Sequence, residues 1–155
     1  MVRKLKMIWI TAGYNFRLWR GNMRIAATFV LAFILCFLLT DKLVVFAREQ
    51  GTTMQILEAF IWTFGDGNSI LLSSLLLLLL FGDLPFITAA TPFFLIRENR
   101  RIWMAGQLLY IFLAAFLYLG FILFSTCVLC MQYAFPKNTW SYTAATLAYS
   151  EKGEQ

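Results

Sequence analysis

The sequence predicts an all-α integral membrane protein, with an amphipathic interfacial helix at the amino terminus followed by three transmembrane helices. The first observation behind this prediction is residues 102–135, a run of 34 without a charged side chain, whereas about 20 apolar residues suffice to cross a bilayer. The second is composition: 61% of the chain is hydrophobic, 14% is charged and the mean hydropathy is +0.72. Soluble domains have roughly 45–50% apolar and 25% charged residues.

The positive charges are concentrated at two places in the sequence. Of 13 Lys and Arg residues, six lie within the first 24 positions and three lie at 97–101. Lys and Arg beside a span tend to remain in the cytoplasm. We therefore expect a multi-pass protein of the cell membrane, with a cytoplasmic amino terminus and an extracytoplasmic carboxyl terminus. The basic residues are concentrated at these two places and not spread over a solvated face, so we expect no nucleic-acid partner.

Residues 1–24 have the periodicity of an amphipathic helix that lies in the membrane interface. An apolar stripe with spacings of three and four is formed by Val2, Leu5, Trp9, Ala12, Phe16 and Trp19. Basic residues, including Arg17 and Arg20, cluster on a neighbouring face, from which they could reach lipid phosphates. The predicted membrane-interface residues are Trp9, Phe16, Arg17, Trp19, Arg20 and Trp103. The alternative is a positively charged leader that only holds the amino terminus inside.

The transmembrane region is predicted over residues 25–135, and its first span over about 25–47. The uncharged stretch 25–40 alone would reach about 24 Å, short of a hydrocarbon core of about 30 Å. The span should therefore continue past Asp41 and Lys42, which would lie near its outer end. A secretory signal peptide fits less well, because no small-residue cleavage pattern follows the apolar run.

The second span is predicted over about 67–82 and contains six consecutive leucines. Pro85 and Pro92 interrupt the uncharged residues that follow, which indicates an interfacial or re-entrant connection. The third span is predicted over about 102–131, with Trp103 as an interfacial anchor at its start. Residues 136–155 would then form an extracytoplasmic tail.

Signals for catalysis are sparse in this sequence. The chain has no histidine, the commonest general base and metal ligand, and no glycine-rich phosphate-binding motif of the P-loop type. We therefore expect no enzymatic activity, cofactor or metal. A thiol–disulfide oxidoreductase that uses Cys127 and Cys130 is a weaker alternative. Such an enzyme needs a second, exposed cysteine pair, and the one remaining cysteine, Cys36, falls within the first predicted span.

Three segments together resemble the first half of a permease of the type-two ATP-binding-cassette exporter family. They are YNFRLWR at 14–20, FGDLPF at 81–86, and PFFLIRENRRIW at 92–103 leading into GQLLY at 106–110. The resemblance implies a connecting helix on the membrane surface and a separate cytoplasmic ATPase that drives export. It also implies that the connection between the second and third spans faces this ATPase. The implied partner-binding residues are Asp83, Arg97, Glu98, Arg100 and Arg101.

Permeases of this family typically have six spans in each transmembrane domain, whereas three are predicted here. The resemblance therefore implies a second transmembrane domain or a homodimer. The expected function is a membrane-spanning component of an ATP-driven exporter, without ATPase activity of its own. The alternative is a non-transport membrane scaffold or regulatory subunit. No charged residue falls at the middle of a predicted span, so the sequence identifies no substrate site.

Overall fold

The structure, a computed structural model, describes residues 2–49, 51–85, 92, 100–131, 134–135, 141 and 145–146. Over these residues the chain is mostly helical, with two short strands. The elements are α1 (Val2–Arg17), α2 (Met23–Glu49), β1 (Met54–Gln55), α3 (Glu58–Thr63), α4 (Gly67–Leu80), α5 (Arg100–Cys130) and β2 (Ala134–Phe135). They divide into a first unit, Met1–Phe29 with Leu76–Tyr118, and a second unit, Val30–Leu75 with Leu119–Gln155.

Helices α2 and α5 are long and apolar enough to cross a membrane. They contain 27 and 31 residues, which at 1.5 Å per residue corresponds to about 40 and 46 Å. Within the most apolar 18-residue segments of α2 and α5, only 22% and 28% are buried by the rest of the protein. Helices are therefore confirmed at the positions of the first and third predicted spans. Helix α2 extends two residues beyond 25–47 at each end, and α5 covers 100–130 instead of 102–131.

Helix α4 coincides with the second predicted span but is short. Its 14 residues correspond to about 21 Å, less than the hydrocarbon core of about 30 Å. The described residues thus contain two helices of spanning length rather than three. The helix ends at Leu80 in a tighter turn, in which the backbone N–H of Gly82 donates to the carbonyl oxygen of Leu79 at 3.3 Å.

Asp66 caps the start of α4. Its Oδ2 accepts hydrogen bonds from the backbone N–H of Ser69 at 3.1 Å and from the Ser69 hydroxyl at 2.8 Å. These bonds favour the ionised carboxylate and lower the pKa of Asp66 below its ordinary value of 3.8. Because folding lowers this pKa, the cap stabilises the helix above pH 3.8, and this stabilisation is lost as the pH falls through the lowered value.

In the first unit, α1 packs on the early turns of α5. The contact is close because Gly106 has no side chain: a Cβ there would lie 2.6 Å from Cβ of Thr11. Beside it, Nδ2–H of Asn15 donates a hydrogen bond of 2.8 Å to Oε1 of Gln107, and both side chains are buried. Further along, Trp19 bonds to Tyr110. These contacts advance in the same direction along both helices and fix the position of α1.

In the second unit, the chain after α2 packs against the chain after α5. Strands β1 and β2 pair in parallel, with Met54 opposite Ala134 and Gln55 opposite Phe135. Behind them lies a small apolar cluster formed by Leu43, Ala47, Met54, Ala59 and Cys130. The sequence analysis predicted neither the strands nor α3. Two-residue strands are too short to show the alternation by which strands are recognised.

We expect Gly106→Ala to destabilise the first unit. The added methyl group would overlap Thr11, and overpacking of this kind costs about 1–3 kcal/mol, partly offset by the better helix propensity of Ala, about 1 kcal/mol. The measurement is the midpoint of thermal unfolding in mild detergent. Gly120→Ala on the same helix is the matched control, because no atom lies within 4 Å of a Cβ at Gly120. Equal midpoints for the two variants would contradict the close packing of α1.

Candidate functional site

The net positive charge of the chain lies entirely in the first unit. Its residues include nine Lys and Arg against two acidic residues, a formal charge of +7. The second unit has four basic and six acidic residues, a formal charge of −2. The starts of α2 and α5 both belong to the first unit. The residues predicted to bind the membrane interface and a partner also lie there, so this unit is the candidate functional site.

The predicted apolar stripe of α1 is divided between the protein and the surface. Ala12 is buried and Phe16 is half-buried, whereas Leu5 and Trp9 are 52% and 59% exposed. The face that α1 buries is centred instead on Thr11, Ala12 and Asn15. Part of the predicted stripe thus stays on the surface, and part of it lies against α5. The buried amide of Asn15 has its partner on α5, so the docked face includes polar positions that the stripe does not contain.

Trp19 is anchored within the chain. Its indole N–H donates a 2.8 Å hydrogen bond to the hydroxyl of Tyr110, and its ring centroid lies 5.0 Å from that of Phe16. Phe16 in turn meets Tyr110 edge-on at 5.0 Å. The aromatic residues that were predicted to face the interface thus form part of the α1–α5 contact. Trp103, on the first turn of α5, is half-buried.

Arg17 and Arg20 stand exposed at the end of α1 and in the turn after it, as the interfacial prediction requires. The chain turns there through Gly21, whose φ of +86° is readily adopted only by glycine. Asn22 then caps α2, since its Oδ1 accepts the backbone N–H of Arg24 at 3.1 Å. This turn places the side chain of Arg24 beside Asp83, which lies in the turn after α4.

Asp83, predicted to bind a partner, is held by residues of the same chain. Its Oδ1 accepts Nη1–H of Arg24 at 2.6 Å, and its Oδ2 accepts Nδ2–H of Asn22 at 3.1 Å. We call Asn22, Arg24 and Asp83 the elbow clamp. Gly82 leaves room for it, because a Cβ there would lie 2.9 Å from Nη1 of Arg24. Sequence reasoning missed the clamp because 59 residues separate Arg24 from Asp83.

Arg100 and Arg101 form the exposed first turn of α5. That turn contains no acidic residue, and neither arginine forms an ion pair with another described residue. Cations at a helix amino terminus oppose the helix dipole, and no described acidic residue offsets these two. They are available to a membrane surface or a partner. The other two predicted partner-binding residues, Arg97 and Glu98, lie outside the described residues.

The cysteines belong to the second unit and are free thiols. Cys130 is fully buried in the apolar cluster, Cys36 is also fully buried, and Cys127 is half-buried. A buried sulfur is inaccessible to an incoming disulfide, which weighs against thiol exchange. Over the described residues, no three His, Cys, Asp or Glu side chains lie together in a way that could hold a metal ion.

Comparison with known proteins adds no assignment: no family model, no curated protein and no solved structure matches this chain. The function of this chain is therefore inferred from its own residues.

The free energy of coupling between Arg24 and Asp83 in the elbow clamp can be measured by a double-mutant cycle with Arg24→Ala and Asp83→Ala. The paired side chains are 43% and 36% exposed, and exposed ion pairs contribute roughly 0.2–1 kcal/mol. We expect a coupling free energy in this range, obtained from unfolding in detergent and decreasing at high salt. Arg20→Ala combined with Asp83→Ala is the control cycle and should show no coupling. Equal coupling in both cycles would mean that the Arg24 contact is not specific.

Proposed function

We propose that this chain is a membrane-spanning component of an ATP-driven exporter, which has no ATPase activity of its own and works with a separate cytoplasmic ATPase subunit. The observation that carries the proposal is the exposed pair Arg100 and Arg101 at the start of α5. These cations lack an acidic partner among the described residues, and they directly follow the connection that leads from α4 to α5. An acidic surface of another subunit would complement them.

The membrane location is supported by α2 and α5. Both have the length and composition of a span, and most of their apolar windows lie uncovered by the rest of the chain. Exposed large apolar side chains include Phe112, Phe116 and Phe124 on α5, at 73%, 80% and 69% exposure. Surrounding lipid, or a second transmembrane domain or copy of this chain, would cover them.

The proposed orientation is supported by the charges of the two units. Helices α2 and α5 both begin in the unit with a formal charge of +7 and end in the unit with a formal charge of −2. By the positive-inside tendency, we place their starts in the cytoplasm, and α4 with the turn after it must then carry the chain back across the membrane despite its short length. The amino terminus, α1 and the connection between α4 and α5 are then on the side where ATP is available.

A coupling role is favoured over a passive scaffold by the way the first unit is joined. The elbow clamp ties the end of α4 to the start of α2, and the Asn15–Gln107 and Trp19–Tyr110 bonds tie α1 to α5. A partner that displaced the start of α5 would therefore also displace α1. A scaffold would need the same helices but no contact with an ATPase, so the two functions differ in their partner.

The proposed orientation can be tested by cysteine labelling in a background with Cys36, Cys127 and Cys130 replaced by Ala. Arg20→Cys and Glu49→Cys are both at exposed positions. We expect a membrane-impermeant maleimide to label Glu49→Cys in intact cells and Arg20→Cys only after permeabilisation. Labelling after permeabilisation is the control for both variants. The opposite pattern, or equal labelling of both in intact cells, would contradict the proposed topology.

The partner is tested by purifying the tagged chain from its native membranes in mild detergent. We expect a nucleotide-binding subunit with a P-loop sequence to co-purify and the complex to hydrolyse ATP. Replacing Arg97, Arg100 and Arg101 with Glu should reduce this ATPase activity at least tenfold. Arg48→Glu, an equally exposed position at the end of α2, is the control and should retain it.

The scaffold function would be favoured if no nucleotide-binding subunit were recovered. It would also be favoured if the triple charge reversal changed only membrane insertion, which the cysteine labelling reports separately.

A further inference from the structure

The second unit contains a buried carboxylate without a described cationic partner. Glu58, at the start of α3, is 2% exposed. Its Oε2 accepts the backbone N–H of Gln55 at 3.0 Å. No described Lys or Arg pairs with it, although a buried charge is costly unless it is paired or well hydrogen-bonded. Glu58 therefore depends on hydrogen-bond donors for its stability.

Two further described donors to Glu58 come from Ser141, 83 positions away. The Ser141 N–H donates to Oε1 of Glu58 at 2.6 Å, and the Ser141 hydroxyl donates to Oε2 at 2.5 Å. Ser141 is itself buried. Both carboxylate oxygens are thus used to hold one point of the chain that follows α5. Hydrogen bonds to an ionised acceptor are shorter and stronger than neutral ones, in keeping with these distances.

We propose that Glu58 and Ser141, together with the β1–β2 pair, form a clasp that fastens the chain after α5 to the chain after α2. The parallel pair joins Met54 to Ala134 and Gln55 to Phe135, so the two segments meet at two separate places. The apolar cluster that includes Ala47 of α2 and Cys130 of α5 lies behind this contact. The clasp therefore joins the segments that follow the two helices of spanning length.

The carboxylate decides whether the clasp is closed. The strand pair has only two residues on each side, and a two-stranded ribbon is marginal by itself in water. Loss of the Glu58 carboxylate would also remove two of the hydrogen bonds that Ser141 makes. This loss would destabilise the buried position of Ser141. Neutralising or removing this one side chain is thus expected to release the segment that contains β2 and Ser141 while α2 and α5 remain helical.

Hydrogen exchange measured by mass spectrometry on the full chain in detergent tests this proposal. Glu58→Ala should raise the exchange rate of backbone amides in peptides that cover residues 134–146 at least tenfold. Peptides from the middle of α5 should be unchanged. Glu49→Ala is the matched control, because it removes the same charged group from an exposed position close to the same cluster. Equal exchange in Glu58→Ala and Glu49→Ala would overturn the clasp.

Two milder variants keep the test decisive if Glu58→Ala does not fold. Glu58→Gln keeps the size of the side chain and one oxygen acceptor, and Ser141→Ala removes only the hydroxyl bond and keeps the N–H bond. Each should raise exchange over 134–146 by at least threefold, less than the full loss. If both exchange at the wild-type rate, the clasp is refuted. The measurement involves no ATP, partner or substrate, so its outcome is independent of the proposed function.

Discussion

Burial of the Asn15 and Gln107 amides is the constraint on which the first unit depends. Their side chains are 2% and 7% exposed, and a buried polar group without a partner costs about 1–3 kcal/mol. The 2.8 Å bond between Nδ2 of Asn15 and Oε1 of Gln107 gives a donor on one amide and the acceptor on the other a buried partner. A slip of α1 by one residue would break this bond. Gly106, directly before Gln107, permits the close approach that the bond requires.

Once α1 is fixed on α5, the positions of the neighbouring elements follow. Trp19 meets Tyr110, Gly21 turns the chain, and Asn22 starts α2 so that Arg24 reaches Asp83. These links are polar or depend on glycine. Apolar side chains distinguish poorly between lipid and protein as surroundings, so polar bonds and small residues are expected to specify helix contacts in a membrane. The first unit follows this principle.

The sequence was sufficient to predict features that depend on neighbouring residues. The apolar runs of α2 and α5 predict their helices directly, and the leucine run predicts α4 within two residues of its ends. Features that join distant residues could not be predicted. The elbow clamp spans 59 positions and the Glu58–Ser141 contact spans 83. Helical periodicity identified the apolar stripe of α1 but not the face that docks on α5, because it ranks positions by hydrophobicity and gives no sign that Asn15 has a buried partner.

The arginines at the starts of α2 and α5 differ in whether a described acidic residue offsets their charge. Arg24 begins α2, where a cation opposes the helix dipole, but Asp83 offsets it and the pair joins two elements. Arg100 and Arg101 have the same unfavourable position on α5, and no described acidic residue offsets them. The two helix starts thus differ in how their charge is used: that of Arg24 joins two elements of the chain, whereas that of Arg100 and Arg101 has no such use among the described residues. This difference is the reason for treating the start of α5 as the contact surface of the proposed exporter component.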